Sequence, residues 1–225
     1  MATSGTSVFT LDVDEVLAEA FERIGVTQPS GGDLRSGRRS LNLLLQELAN
    51  RGELLWATGT ETIVLGAGVS SYTLPANTLS VSDITFRRTG STDTQITLNP
   101  LGITEFRQLP SQASTGRPVS YVLNRDRDAP SLSFWPTPDV SYDITVERRR
   151  KLQDVSTYTE NLDLPMRFLP AIIAGLAWSL ADKRPGSVDA NRRGELLARY
   201  ETELERALLE DRERVSLFLS IDFDR

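Results

Sequence analysis

The chain has 225 residues, 39% hydrophobic and 25% charged, with a formal net charge of −6 at pH 7. It contains neither cysteine nor histidine, which excludes disulfides, thiolate nucleophiles, imidazole bases and the commonest metal ligands. The acidic balance argues against a nucleic-acid binder that works by releasing counterions from phosphates. Of the 25 basic residues only two are lysines. We attribute this skew to a GC-rich genome rather than to arginine-based interface chemistry.

Two amphipathic helices are predicted at the start of the chain. Asp12 is the expected N-cap of the first, and Gly25 ends it. Its apolar stripe consists of Val13, Val16, Leu17, Ala20, Phe21 and Ile24. After a glycine- and proline-containing loop, Asp33 is expected to cap the second helix, which ends near residues 51–52. Its stripe consists of Leu34, Leu41, Leu44, Leu45 and Leu48.

From about Thr58 to Glu160 the pattern changes to short alternating segments broken by glycine and proline, which predicts strands. A short helix, Gly102 to Leu109, interrupts them. The predicted strands are Thr60–Leu65, Ser71–Leu74, Ser82–Arg88, Gln95–Leu98, Val119–Asn124, Ser131–Trp135 and Tyr142–Arg149.

Helix returns near Asp163, and Pro170 either kinks this helix or marks its true beginning. The last helix runs from about Val188 to Arg214, with an apolar face of Leu196, Leu197, Tyr200, Leu204, Ala207 and Leu208. Oppositely charged residues follow one another at four-residue spacing on its other faces, each link contributing about 0.2–0.5 kcal/mol. They are candidate contacts between subunits: Glu195, Arg199, Glu203, Arg206, Glu210 and Arg214.

No helix can bury its stripe alone, so we expect the first pair to pack against the second pair. The predicted fold class is α+β: a discontinuous antiparallel bundle of about four helices, an inserted antiparallel β-rich domain and an extended C-terminal tail. The expected boundaries are residues 1–57 and 161–214 for the bundle, 58–160 for the insertion and 215–225 for the tail.

The tail is the most informative segment. Its apolar residues nearly alternate, as in a strand, with Phe218 breaking the pattern; they are Val215, Leu217, Phe218, Leu219, Ile221 and Phe223. No strand follows in the sequence to form a hairpin, and an exposed edge recruits other sheets. We therefore expect the tail to dock on another subunit or protein. The alternative is a strand folded back onto the chain's own β insertion.

Two charged patterns could carry chemistry. Asn124, Asp126 and Asp128 resemble the start of a calcium loop, but the sixth-position glycine and the final glutamate are missing. A turn between strands explains them better. The run Arg148–Lys151 could touch DNA or an acidic neighbour, although a solvated strand end is the simpler interpretation.

The tryptophans and the carboxylates near the N-terminus also favour structural roles. Trp56, Trp135 and Trp178 each lie within or beside apolar stretches, which favours core packing over sugar stacking. The acidic group of residues 12, 14 and 15 sits at a helix start, where it complements the dipole, rather than forming a glycosidase pair.

The sequence contains no recognisable targeting or membrane segment. The N-terminus lacks the basic start and apolar core of a signal peptide. The most apolar run, Phe168 to Trp178, is too short to cross a bilayer and contains a proline. We expect a soluble protein made in a cytoplasm.

Four segments resemble one known family. They are the helix exit Arg51–Trp56, the element Ser71–Asn77, the segment Arg117–Tyr121 and the segment Leu132–Asp139. Together with Gly25-Val26 and the helix around Leu41–Leu48, they are similar to the head-to-tail adaptor proteins of short-tailed bacteriophages, the packaged-DNA stabilisation or tail tubular proteins. The element Tyr-x-Leu-Pro-x-Asp of that family appears here with Asn77 in place of the aspartate.

This resemblance implies a structural connector without catalysis, metal or cofactor. It implies a homo-oligomeric ring, a dodecamer matching the portal, located in the neck of a virion assembled in the host cytoplasm. The helical part would contact the portal protein, and the C-terminal segment through Arg225 would grip it. The β region would face the downstream tail nozzle or tubular protein, with duplex DNA passing through without sequence-specific binding.

Two other functions are the alternatives. One is a DNA-recognition protein of the packaging machinery, similar to a small terminase subunit and using the N-terminal helices, which the net charge disfavours. The other is a carboxylate-based cell-wall glycosidase, for which no residue spacing identifies a catalytic pair.

Overall fold

A computed structural model of the chain describes residues 5, 9–51, 54–92, 95–109, 111–186 and 188–212. The fold class is α+β, as predicted. The chain divides into two compact units. One contains the described residues up to Trp56 together with those from Gln153 onward, and the other spans Ala57–Leu152.

Five α-helices occur among the described residues. In chain order they are α1 (Val13–Arg23), α2 (Gly31–Asn50), α3 (Ile103–Arg107), α4 (Leu169–Asp182) and α5 (Ala190–Glu210). Short 3-10 turns precede the first strand and α4, at Leu55–Ala57 and Met166–Phe168. None of the helices in the described part of the chain has the length and apolar character needed to span a bilayer.

The starts of α1 and α2 use the same reciprocal cap. Asp12 caps α1, as predicted: its carboxylate accepts from the Glu15 N–H at 2.9 Å, and Glu15 accepts in return from the Asp12 N–H at 3.2 Å. The prediction that Asp33 caps α2 is wrong. Ser30 is the N-cap and Asp33 is the third helical residue, which accepts from the Ser30 N–H at 3.0 Å. The two intervening glycines suggested a loop, but this capping box draws them into the first helical turn.

Helix α4 is the centre of the helical unit. It packs against α1, α2 and α5, and it is buried nearly all round, as expected for a helix with little polar surface. Pro170 lies in its first turn, where a missing N–H costs nothing, so it marks the beginning of the helix rather than a kink. The predicted antiparallel arrangement of a four-helix bundle remains a prediction.

Helices α4 and α5 approach each other closely at Gly175. Gly175 faces the Tyr200 ring, and a Cβ at Gly175 would lie 2.8 Å from two ring carbons and 3.1 Å from a Leu44 methyl carbon. The Tyr200 ring also stacks on Trp178, with centroids 6.4 Å apart. Burial raises the pKa of the Tyr200 hydroxyl to about 12. The two helices can approach this closely because residue 175 has no side chain.

The described residues of the second unit form ten strands. They are β1 (Thr58–Leu65), β2 (Ser71–Thr73), β3 (Thr78–Arg88), β4 (Ile96–Thr97), β5 (Asn99–Pro100), β6 (Thr115–Gly116), β7 (Ser120–Asn124), β8 (Ser131–Trp135), β9 (Thr137–Pro138) and β10 (Tyr142–Arg150). One sheet has the order β1-β10-β3-β4, a second the order β2-β8-β7-β5, and β6 pairs with β9. Both four-stranded sheets contribute to one core, which includes Ile84, Leu132, Phe134, Ile144 and Val146.

All seven predicted strands are present, with bounds shifted by a few residues. Three two-residue strands, β5, β6 and β9, were not predicted because two residues cannot display an alternating pattern. The pairs β5–β7 and β6–β9 run parallel, whereas the sequence led us to expect antiparallel pairing throughout. The strands at the two ends of this unit are neighbours, since Thr58 lies opposite Arg149 in the β1–β10 register.

The separate core of residues 57–152 leads to a first prediction. This fragment, expressed alone, should fold cooperatively, because its ends meet in one sheet and its core residues lie within it. Circular dichroism and a urea unfolding transition would check this. A matched fragment, residues 70–152, lacks edge strand β1 and should show no cooperative unfolding transition. If the fragment 57–152 also shows none, the insertion does not fold independently.

Substitution of Gly175 tests the α4–α5 contact. We expect Gly175→Ala to destabilise the protein by about 1–3 kcal/mol through overpacking, despite about 1 kcal/mol gained in helix propensity. The matched control is Gly194→Ala on α5, where a Cβ meets no atom within 4 Å and should be neutral or stabilising. Urea unfolding would measure both, and equal stabilities for the two variants would contradict the close packing.

Candidate interaction surfaces

The predicted docking tail, residues 215–225, lies outside the described residues, as does Arg214. The described part of the chain ends at Arg212, shortly after α5. Asp211 follows the helix directly and is its C-cap. The tail prediction therefore stays a prediction.

Asp211 is a buried carboxylate that ties three segments together. Its side chain is 3% exposed, and it accepts a hydrogen bond from the backbone N–H of Leu55 at 3.0 Å. It also forms an ion pair with Arg167, whose guanidinium lies 5.6 Å from the Phe168 ring centroid. A carboxylate buried to this degree requires such partners. The end of α5 is thereby held against the segment after α2 and the turn before α4.

Of the charged residues predicted as subunit contacts, the five that the structure describes lie on one flank of α5. Glu195 pairs with Arg192 at 2.9 Å, and Glu203 pairs with Arg206 at 3.3 Å. The spacing in both pairs is three residues, whereas the sequence led us to expect four. Both spacings place side chains on the same helix face, so the rotamers of the arginines decide between them. Arg199 and Glu210 are exposed, and the role of this flank as a subunit contact stays a prediction.

A second charged surface, which the sequence analysis did not single out, lies near the start of α2. Arg35, Arg38 and Arg39 line a depression of about 490 Å³ together with Gly32. The Arg38 guanidinium donates to the Ser156 carbonyl oxygen and lies 5.3 Å from the Tyr158 ring centroid. The sequence signal was the presence of three arginines within five residues.

Two further cationic side chains, Lys183 and Arg184, contact residues of the same part of α2. The Lys183 ammonium donates to the Ser40 hydroxyl, and desolvation, assisted by the charge of Arg39, lowers the pKa of Lys183. The Arg184 guanidinium forms an ion pair with Asp33. The hydrogen bonds from Ser30, together with this pairing, lower the pKa of the Asp33 carboxyl. The start of α2 therefore bears excess positive charge on a protein whose net charge is negative.

In the β-rich unit, the basic run at the end of β10 is occupied by internal contacts. The Arg148 guanidinium donates to Glu61 at 2.8 Å and to Asn77 at 3.1 Å. The Lys151 ammonium donates to the Ala76 carbonyl oxygen at 3.1 Å. These bonds join neighbouring segments of the unit, which favours a structural role for the run.

The segment considered as a calcium loop joins β7 to β8. The Asn124 amide donates to Ser133 at 3.0 Å, and the Ser131 hydroxyl lies 3.5 Å from Asp126. These contacts are typical of a polar turn. Among the residues described, no cluster of three or more acidic, histidine or cysteine side chains is arranged to hold a metal ion.

The three tryptophans pack within their own units. Trp56 lies 6.0 Å from the Phe168 ring and Trp178 stacks on Tyr200. The Trp135 indole donates to the Ser111 carbonyl oxygen at 2.8 Å. All three are only partly exposed, and these contacts support the packing interpretation.

The Asp211 contacts generate a prediction about stability. Asp211→Ala should lower the free energy of unfolding by about 1–3 kcal/mol, because the Leu55 N–H loses its acceptor and Arg167 its counter-charge. Asp211→Asn, which keeps an acceptor, should lose less. The neighbouring exposed carboxylate offers a control, since Glu210→Ala should change stability by no more than about 0.5 kcal/mol. Urea unfolding would measure the series; equal effects at the two positions would contradict the buried tie.

Comparison with known proteins identifies one family. The family model described as SU10 adaptor protein matches residues 11–219, a range that includes parts of both compact units. No curated protein matches the chain.

Proposed function

The chain belongs to the SU10 adaptor protein family, a family of bacteriophage structural proteins, and we propose that it is a head-to-tail adaptor. In this role it forms a ring that joins the portal to the tail and provides part of the conduit for DNA during genome ejection. The observation that carries the proposal is the family match over residues 11–219.

The composition supports a structural role rather than a catalytic one. Without histidine or cysteine, a reaction would have to depend on carboxylates, tyrosines or the few lysines. The net charge of −6 is also suited to the wall of a DNA channel, because it repels phosphates and allows the duplex to slide. The proposed partners are further copies of the chain, the portal protein and a downstream tail protein, in the neck of the virion.

Two surfaces are proposed to make these contacts. The C-terminal tail binds the portal through Val215, Leu217, Phe218, Leu219, Ile221, Phe223 and Arg225. The charged flank of α5, with Glu195, Arg199, Glu203, Arg206, Glu210 and Arg214, contacts neighbouring subunits. A single tail strand binds weakly, but a ring of tails, twelve by the resemblance described above, binds with strong avidity. The Asp211 contacts support this arrangement because they fix the end of α5, a few residues before the tail.

Removal of the tail tests the proposal. Deleting Val215–Arg225 should leave a folded helical protein that no longer joins portal-bearing particles, because the apolar docking residues are gone. Circular dichroism would report the fold, and infectivity after mixing with particles that lack the adaptor would report joining. As a matched control, Ser216→Ala/Ser220→Ala alters the same segment but keeps its apolar residues, and it should join normally. Full joining by the deletion variant would refute the anchoring role.

A further inference from the structure

Two exposed stripes on α2 and α5 have opposite charge and identical spacing. The arginine stripe on α2 consists of Arg35, Arg39 and Leu43. The glutamate stripe on α5 consists of Glu201, Glu205 and Leu209. Each stripe has two like charges four residues apart, followed four residues later by a leucine. All six residues are exposed, with Leu43 at 65% and Leu209 at 47%.

The arginine stripe faces away from the core of its own unit. The buried side of α2 is formed by Leu41, Leu44, Leu45 and Leu48, and at about 100° per residue Arg39 lies on the opposite side. Among the carboxylates that the structure describes, none forms an ion pair with Arg35 or Arg39. The cation of Lys183 behind them adds to the positive potential. The positive charge of the stripe must therefore be neutralised by another molecule or by solvent.

The glutamate stripe lies on the flank of α5 opposite Glu203 and Arg206. Helix residues 201–210 contain four glutamates and one arginine, and that arginine is paired with Glu203. Glu201 interacts electrostatically with Arg51, the C-cap residue of α2. No described cation is paired with Glu205. The outer part of the stripe, Glu205 and Leu209, thus presents negative charge beside an exposed apolar side chain.

We infer that the arginine stripe of one copy of the chain packs against the glutamate stripe of a second copy. The two helices run parallel, so that Arg35 meets Glu201, Arg39 meets Glu205 and Leu43 meets Leu209. An antiparallel contact would instead place each leucine opposite a charged residue. Charge complementarity fixes the register, and the leucine pair supplies apolar burial.

This pairing joins unlike surfaces and therefore propagates. Each copy that uses its arginine stripe on one side still has its glutamate stripe free on the other, which produces a ring or an open chain of subunits. The inference rests on the proposed function, because it names the contact that would close the adaptor ring. It is separate from the proposed contact through the Glu203 and Arg206 flank of α5.

A cysteine-free chain makes disulfide crosslinking a direct test. Leu43→Cys/Leu209→Cys should give a ladder of crosslinked oligomers on mild oxidation. A mixture of the two single variants, Leu43→Cys and Leu209→Cys, should stop at the heterodimer, and neither single variant alone should crosslink. Ile103→Cys/Leu209→Cys serves as the matched control, because Ile103 is 49% exposed on α3 and should give no ladder.

The crosslinking is done both on concentrated free protein and on phage particles carrying the variants. A ladder in the particles supports the pairing, and a ladder from the free protein as well shows that the contact forms without the portal. Particles that contain the chain but yield no ladder overturn the pairing and leave the adaptor function intact. Particles assembled without the chain contradict the proposed function itself. Dimers formed by either single variant show a symmetric contact and overturn the head-to-tail arrangement.

Charge reversal provides a second readout that does not depend on the cysteines. Arg39→Glu and Glu205→Arg should each weaken self-association roughly tenfold or more, while Arg39→Glu/Glu205→Arg in one chain should recover it. Sedimentation equilibrium would measure the association. Reversal of Arg125, an exposed arginine in the turn between β7 and β8, should have no effect. If Arg39→Glu instead abolishes binding to duplex DNA and leaves self-association and the ladder unchanged, the stripe is a phosphate contact and the pairing is wrong.

Discussion

The burial of α4 is the constraint on which the helical unit depends. This helix has apolar residues on almost every side, so it is stable only when other helices surround it. The helices that cover it come from both ends of the sequence: α1 and α2 precede the β-rich region, and α5 follows it. The chain must therefore leave the helical unit after Trp56 and return to it at Gln153. The pairing of β1 with β10 brings the two ends of the intervening region together.

The same packing separates buried from exposed surface. Because α2 and α5 each contact α4 with one apolar side, their remaining sides carry charge to the surface. On α5 the two flanks differ: one has internal arginine–glutamate pairs, and the other has glutamates beside an exposed leucine. On α2 the exposed side is basic. An adaptor holds other proteins in a fixed arrangement. Different charge on different helix faces is useful in this role because it specifies which surfaces meet.

Buried polar contacts hold the segments that leave this core. Asp211 is an instance, because its carboxylate satisfies the Leu55 N–H and Arg167 at once. Loss of Arg167 would leave the buried carboxylate of Asp211 without its counter-charge. The position matters for function as well, since the proposed portal-binding tail begins a few residues further along the chain.

Local pattern alone was sufficient for the helices, for seven of the strands and for the Asp12 cap, because periodicity and capping chemistry act over a few residues. It was not sufficient for the Ser30 cap or for the strands β5, β6 and β9. These three strands are too short to show a period, and their parallel pairing depends on partners that are distant in the chain. Among the surfaces, sequence pointed to the tail and to one flank of α5. Tertiary structure decided that Arg35 and Arg39 face outward and that Glu205 lies on the other flank, because the exposure of a helix side depends on which neighbours cover the rest.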